Sequence, residues 1–227
     1  MTHPKFRPLK FGVTRVQLRD GVPGTHYMMA EQALQAFPER LSDRLRHWAE
    51  QAPERSFMAR RVRQADGSLG DWRHISYAEA WQTARRIAQG LIDRGLSVER
   101  PVAILSENSL EHALLALGCL IAGVPFVPTS PPYSLVSVDY DKLDGRTATR
   151  FDDLCATTAT DAVDRAMAAT GPDTIAKFLF TSGSTKLPKA VINTNRMWCA
   201  NQQQMAQSMP VLAEQPLVLV DWLPWNH

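Results

Sequence analysis

Between residues 178 and 191 the chain reads FLFTSGSTKLPKAV. Three apolar positions run directly into Thr181, Ser182, Gly183, Ser184, Thr185, Lys186, Leu187, Pro188 and Lys189. Nearly every position of this segment offers a hydroxyl or backbone N–H donor. Gly183 permits a close backbone approach and unusual dihedrals. Lys189 adds a positive charge at the far end, and Pro188 stiffens the approach to it. Donors of this kind at the carboxyl end of a strand suit a polyphosphate. The order is not that of a Walker A loop, which places Gly before its Lys and Ser or Thr after it. Here Lys189 stands between Pro188 and Ala190. Composition alone equally allows a plain Ser/Thr turn between two strands.

Such a loop needs a strand before it and a sheet around it. IAKFLF (175–180) supplies the strand; VAIL (102–105), PFV (125–127) and LVLV (217–220) read as further strands. These continuous apolar runs alternate with helical stretches, the pattern of a parallel sheet covered on both faces. The fold class expected is therefore α/β, a mostly parallel sheet with helices on both faces. Residues 39–54 place Leu41, Leu45 and Trp48 on one helical face, and Pro53 ends that helix. SFMARRV and WRHISY are expected to pair across the turn ADGSLG. Ser76 and Glu79 form a capping box. It opens a helix expected to bury Tyr77, Ala80, Trp81, Ala84, Ile87, Ala88, Leu91 and Ile92 on its apolar stripe, closed by Gly95. Val13–Leu18 alternates weakly and reads as an early strand.

The wider composition narrows the partners. A formal net charge of +2 over 227 residues exerts no strong pull on nucleic acid. The basic groups Lys5–Arg19 and Arg55–Arg63 lack aromatic interleaving or a reader motif and read as solvated faces. The most apolar stretch, ALLALGCLIAGVPFVP (113–128), is too short and too interrupted by proline to span a membrane. Cys119, Cys155 and Cys199 show neither disulfide nor zinc spacing, which points to a reducing, cytoplasmic setting. No metal-ligating residues are singled out.

The order of residues 181–190 resembles the signature Thr-Ser-Gly-Ser-Thr-Gly-x-Pro-Lys-Gly of the adenylate-forming (AMP-binding) superfamily. That superfamily includes acyl-CoA synthetases, luciferases and peptide-synthetase adenylation domains. Lys186 stands where glycine is usual, and Ala190 replaces the final glycine. Residues 75–96 and 102–134 resemble the family's amino-terminal region. VINTNRMWCANQQQ (191–204) and DWLPWNH (221–227) resemble the feruloyl-CoA synthetase branch.

The resemblance implies an ATP-dependent ligase that joins an aryl or arylalkenyl acid to coenzyme A through an acyl-adenylate. ATP, Mg2+ and coenzyme A are then the family's reactants. Thr181, Ser182, Gly183, Ser184, Thr185 and Lys189 would hold the nucleotide phosphates. His227, at the end of Trp-Asn-His, would approach the carboxylate as a catalytic residue. The family's downstream acidic magnesium segment, ribose aspartate, hinge and carboxy-terminal domain do not occur in this sequence. Residues 1–227 are accordingly expected to be a partial amino-terminal AMP-binding domain, with the carboxy-terminal domain absent. An internal loss is expected between PPYSLVSVDYDKL and DGRTATRFDDL. The ligase reading is what the family implies; for the isolated chain the expectation is a truncated, catalytically inactive relative whose apolar end promotes self-association.

Overall fold

A computed structural model describes residues 9–13, 15–129, 150–181 and 189–225. The described chain divides into two compact units.

The larger unit takes in Glu39–Arg196 and Leu223–His227. Helix α1 (Leu41–Gln51) buries Leu45, as its periodicity predicts. β3 (Ser56–Arg63) and β4 (Leu69–Ser76) form the expected antiparallel ribbon, with Gly67 at positive φ in its turn. The Ser76 hydroxyl accepts from the Glu79 N–H and caps α2 (Tyr77–Asp93), which buries Ala80, Ala84, Ile87, Ala88 and Leu91 and leaves Tyr77, Trp81 and Ile92, at the margins of the stripe, half-buried. Ser109 caps α3 (Leu110–Ala122) by accepting from the His112 N–H, and Gly123 in the left-handed region ends it. At Gly118 a Cβ would lie 2.5 Å from Ile87 Cγ2. The absent side chain therefore lets α3 close against α2.

The sheet runs in the order β5 (Val102–Leu105), β6 (Phe126–Thr129), β7 (Ile175–Thr181) and β8 (Lys189–Thr194). β5, β6 and β7 are parallel, as read from their apolar runs. β8 turns back antiparallel to β7, so the sheet is mixed. Two short helices, α4 (Phe151–Cys155) and α5 (Asp161–Ala169), precede β7. Val163 and Met167 of α5 are buried, and Asp164 pairs with Arg85 of α2.

The smaller unit comprises Met1–Pro38 and Met197–Trp222. In it β1 (Val16–Asp20) pairs with β2 (His26–Ala30). β1 matches the early strand expected at 13–18, shifted toward its carboxyl side. The unit also holds α6 (Asn195–Ser208) from Met197 onward, and α7 (Val211–Glu214). Gly12 N–H donates to Ser208 O (2.9 Å), and Gln207 bonds both Gln35 N–H and Ala33 O.

One expected strand is corrected. Residues 217–220 form no strand, and Val218 is 96% exposed with Leu219 and Val220 also open. An apolar run becomes a strand only where a neighbour takes up its backbone N–H and C=O groups. Among the described residues no strand pairs with 217–220.

Candidate phosphate loop and acid-side clamp

Strand β7 carries the site because its carboxyl end releases the hydroxyl-rich segment and its middle carries a lysine. Thr181, the last residue of β7, pairs with Lys189, the first of β8. The Thr181 hydroxyl donates to the Lys189 carbonyl oxygen at 3.4 Å. The structure thus brings together the two ends of the expected phosphate loop, both exposed. Ser182, Gly183, Ser184, Thr185, Lys186 and Pro188 lie outside the described residues, as does His227. The segment 182–188 joins two antiparallel strands. That geometry is common to a phosphate-holding loop and to a plain turn.

Side chains alternate along a strand, so Lys177 and Thr181 share one face of β7, about 13 Å apart. Lys177 is buried within an otherwise apolar stretch beside Ala176. Its ammonium lies 5.9 Å from the centre of the Phe126 ring and donates to the backbone oxygen of Trp225 at 3.0 Å. Burial holds its pKa below the usual lysine value.

Trp225 is the first residue of the Trp-Asn-His segment, and its surroundings come from the loop after β5. The Asn108 carboxamide donates to Leu223 O (2.7 Å) and accepts from Trp225 N–H (3.0 Å). The backbone oxygen of Asn108 accepts from Arg60 of β3 at 2.7 Å. His112 of α3 meets the Trp225 indole edge to face, with ring centroids 5.0 Å apart. Burial is the main cause that lowers the His112 pKa. The positive charge of Lys177 adds to it, against hydrogen bonds to the backbone of Glu107 and Ser106. The imidazole is therefore biased toward its neutral form.

Sequence reasoning singled out neither Asn108, His112 nor Lys177 as a site residue. A lysine inside an apolar strand was the available signal. The partner it serves lies 48 positions away and could not be read from the pattern.

Burial also raises the thiol pKa values of Cys119 and Cys155, so neither is a ready nucleophile. Among the described residues no three His, Cys, Asp or Glu side chains are grouped to hold a metal ion. Nor is any helix among them long and apolar enough to cross a membrane.

The chain is similar to known proteins in sequence and in fold. The family model for AMP-binding enzymes matches residues 45–141. A probable non-canonical nonribosomal peptide synthetase, CymA of Salinispora arenicola, is 31% identical over 116 residues, 51% of this chain and 2% of that protein. The human long-chain-fatty-acid–CoA ligase ACSBG1 is 26% identical over 201 aligned positions, 69% of this chain and 28% of that protein. Those 201 positions exceed the share of the 227 residues they take in, so gaps opposite ACSBG1 residues fall within this chain. A fatty acid AMP ligase from Legionella pneumophila has the same fold at 20% identity, with a TM-score of 0.62. That alignment covers 83% of this chain and 36% of the ligase. The chain thus spans well under half the length of the relatives it matches. The α/β fold is that of the amino-terminal domain of adenylate-forming enzymes.

Proposed function

We propose that residues 1–227 are the amino-terminal AMP-binding part of an enzyme that activates a carboxylic acid with ATP. In the first half-reaction a carboxylate oxygen attacks the α-phosphorus. The bond to the bridging oxygen breaks, and pyrophosphate leaves with its electron pair. The resulting acyl-adenylate is open to attack by the coenzyme A thiol: sulfur bonds to the acyl carbon, AMP leaves, and the thiol proton is lost. The demand on the protein is fixed donors for phosphate charge. Thr181, Ser182, Ser184, Thr185 and Lys189 meet it at the β- and γ-phosphates, and Gly183 lets the backbone approach them. Mg2+ would share in neutralising that charge. His227 would face the carboxylate.

The observation that carries this reading is the order Thr-Ser-Gly-Ser-Thr followed by Pro188-Lys189, set between two paired strand ends. The resemblance of DWLPWNH to the feruloyl-CoA synthetase branch supports an aryl or arylalkenyl acid, and the spacing of Cys119, Cys155 and Cys199 supports a cytoplasmic setting. Exposed Val218, Leu219, Val220 and Trp222 support self-association of the chain.

A second reading, a relative without turnover, is favoured by Lys186 and Ala190 in place of two glycines. Acid-dependent ATP–pyrophosphate exchange separates the two. Ferulate, a long-chain fatty acid and an aromatic amino acid should be compared as substrates. Exchange with ferulate above the others supports the aryl assignment; a preference for the fatty acid would move the acid class. Absence of exchange with every acid would favour the second reading.

A further inference from the structure

Leu223–Trp225 belongs to no helix or strand pair, yet its backbone is held at three points. Asn108 takes two of them, donating to Leu223 O at 2.7 Å and accepting from Trp225 N–H at 3.0 Å. One carboxamide thereby serves two main-chain groups, as a neighbouring strand would. Lys177 takes the third, donating to Trp225 O at 3.0 Å. His112 packs on the indole of the same residue.

This arrangement is costly for a stretch of plain loop. Lys177 is only 9% exposed, and an ammonium in that position gives up most of its hydration. An apolar residue would fit the surrounding strand pattern without that cost. The lysine does something such a residue cannot: it grips a carbonyl oxygen. Asn108 is itself steadied, because Arg60 donates to its backbone oxygen at 2.7 Å. Lys177 also lies on the same face of β7 as Thr181, where the phosphate loop begins.

We infer that Asn108 and Lys177 are positioning residues that clamp Leu223–Trp225, the segment that precedes the Asn-His pair in sequence, and so favour binding of the carboxylic acid. The acid-directed part rests on the function proposed above, whereas the clamp itself does not. Neither residue touches substrate; both act through the backbone they hold.

Two readouts on the full 227-residue chain test this. The first is hydrogen exchange at the Trp225 amide in the parent, Asn108→Ala, Asn108→Asp and Lys177→Met. Asn108→Ala should speed that exchange about tenfold, the scale of one lost hydrogen bond, with the β5–β7 amides unchanged. Asn108→Asp should lie between, because a carboxylate still accepts from Trp225 N–H but cannot donate to Leu223 O. The second is ATP–pyrophosphate exchange. Asn108→Ala and Lys177→Met should raise KM for the acid about tenfold while KM for ATP stays within about twofold. Unchanged exchange at Trp225 overturns the clamp. Equal rises in both KM values with a lowered Tm would show a purely structural role and overturn the positioning claim. A parent chain inactive with every acid removes the proposed function and the acid-directed role with it; amide exchange then decides the clamp alone.

Discussion

Thr181 and Lys189 are cross-strand partners, and the Thr181 hydroxyl donates to the Lys189 carbonyl oxygen over 3.4 Å. Directly opposed residues of an antiparallel pair point to the same face. The hydroxyl and the ammonium-bearing side chain therefore rise from one side of the sheet, at the two ends of the signature segment. Lys189→Met removes the charge and keeps most of the stem. It should raise KM for ATP tenfold or more, on the scale of about 1.5–3 kcal/mol for a hydrogen bond to a charged group, and leave KM for the acid near the parent value. Steady-state pyrophosphate exchange at varied ATP and varied acid checks this. An equal effect on both would place Lys189 elsewhere than on the phosphates.

Lys186 occupies a position where the resembling signature has glycine. A non-glycine residue forced to positive φ costs about 1–3 kcal/mol. If nucleotide binding needs that conformation, Lys186→Gly should increase adenylation about fivefold or more. Assaying the variant beside the parent decides it. Equal or lower activity would show that the lysine is accommodated or that its charge helps hold phosphate.

Helix packing gives a test independent of ATP. A Cβ at Gly118 would meet Ile87 Cγ2 at 2.5 Å, Ile87 Cβ at 2.9 Å and the Ala84 carbonyl oxygen at 3.2 Å. Two of those three contacts are with a fully buried side chain, and the third is with backbone. Gly118→Ala should lower stability by about 1–3 kcal/mol through overpacking, despite the better helix propensity of alanine. Denaturant midpoints of the two proteins measure it. A stabilised variant would mean that α2 and α3 separate freely.

His112 predicts the acid response of the larger unit. Its folded pKa lies below the ordinary value of 6.5, chiefly through burial. The unfolded chain therefore binds more protons here, and stability rises with pH. The contribution is present above about pH 6.5 and is lost as pH falls through the folded pKa. Between pH 7 and pH 5 the parent should lose stability more steeply than His112→Gln. Urea titrations at the two pH values, followed by near-ultraviolet signals, would show parallel losses if His112 took no part.

The same residues show what could be read without coordinates. α2 was legible because Ser76, Glu79 and an apolar stripe lie close together in the chain and act locally. β5, β6 and β7 were legible as apolar runs for a similar reason. The run at 217–220 had the same composition but no pairing partner among the described residues, and pairing is not a property of one segment. β8 was missed because KAVINT lacks a long apolar run and owes its form to β7 alongside it. The proposed phosphate loop rests on residue order, since seven of the nine positions 181–189 match the signature and lie close together in the chain. The clamp could not be read that way: Asn108 and Trp225 are 117 positions apart, and their bond exists only once the chain has folded.

Acid-dependent ATP–pyrophosphate exchange by the 227-residue chain tests the central claim most directly. The account predicts label entering ATP only when a carboxylic acid is present, most strongly with ferulate, and falling sharply in Lys189→Met. No exchange above the acid-free blank with any acid tried, from a folded chain, would contradict it.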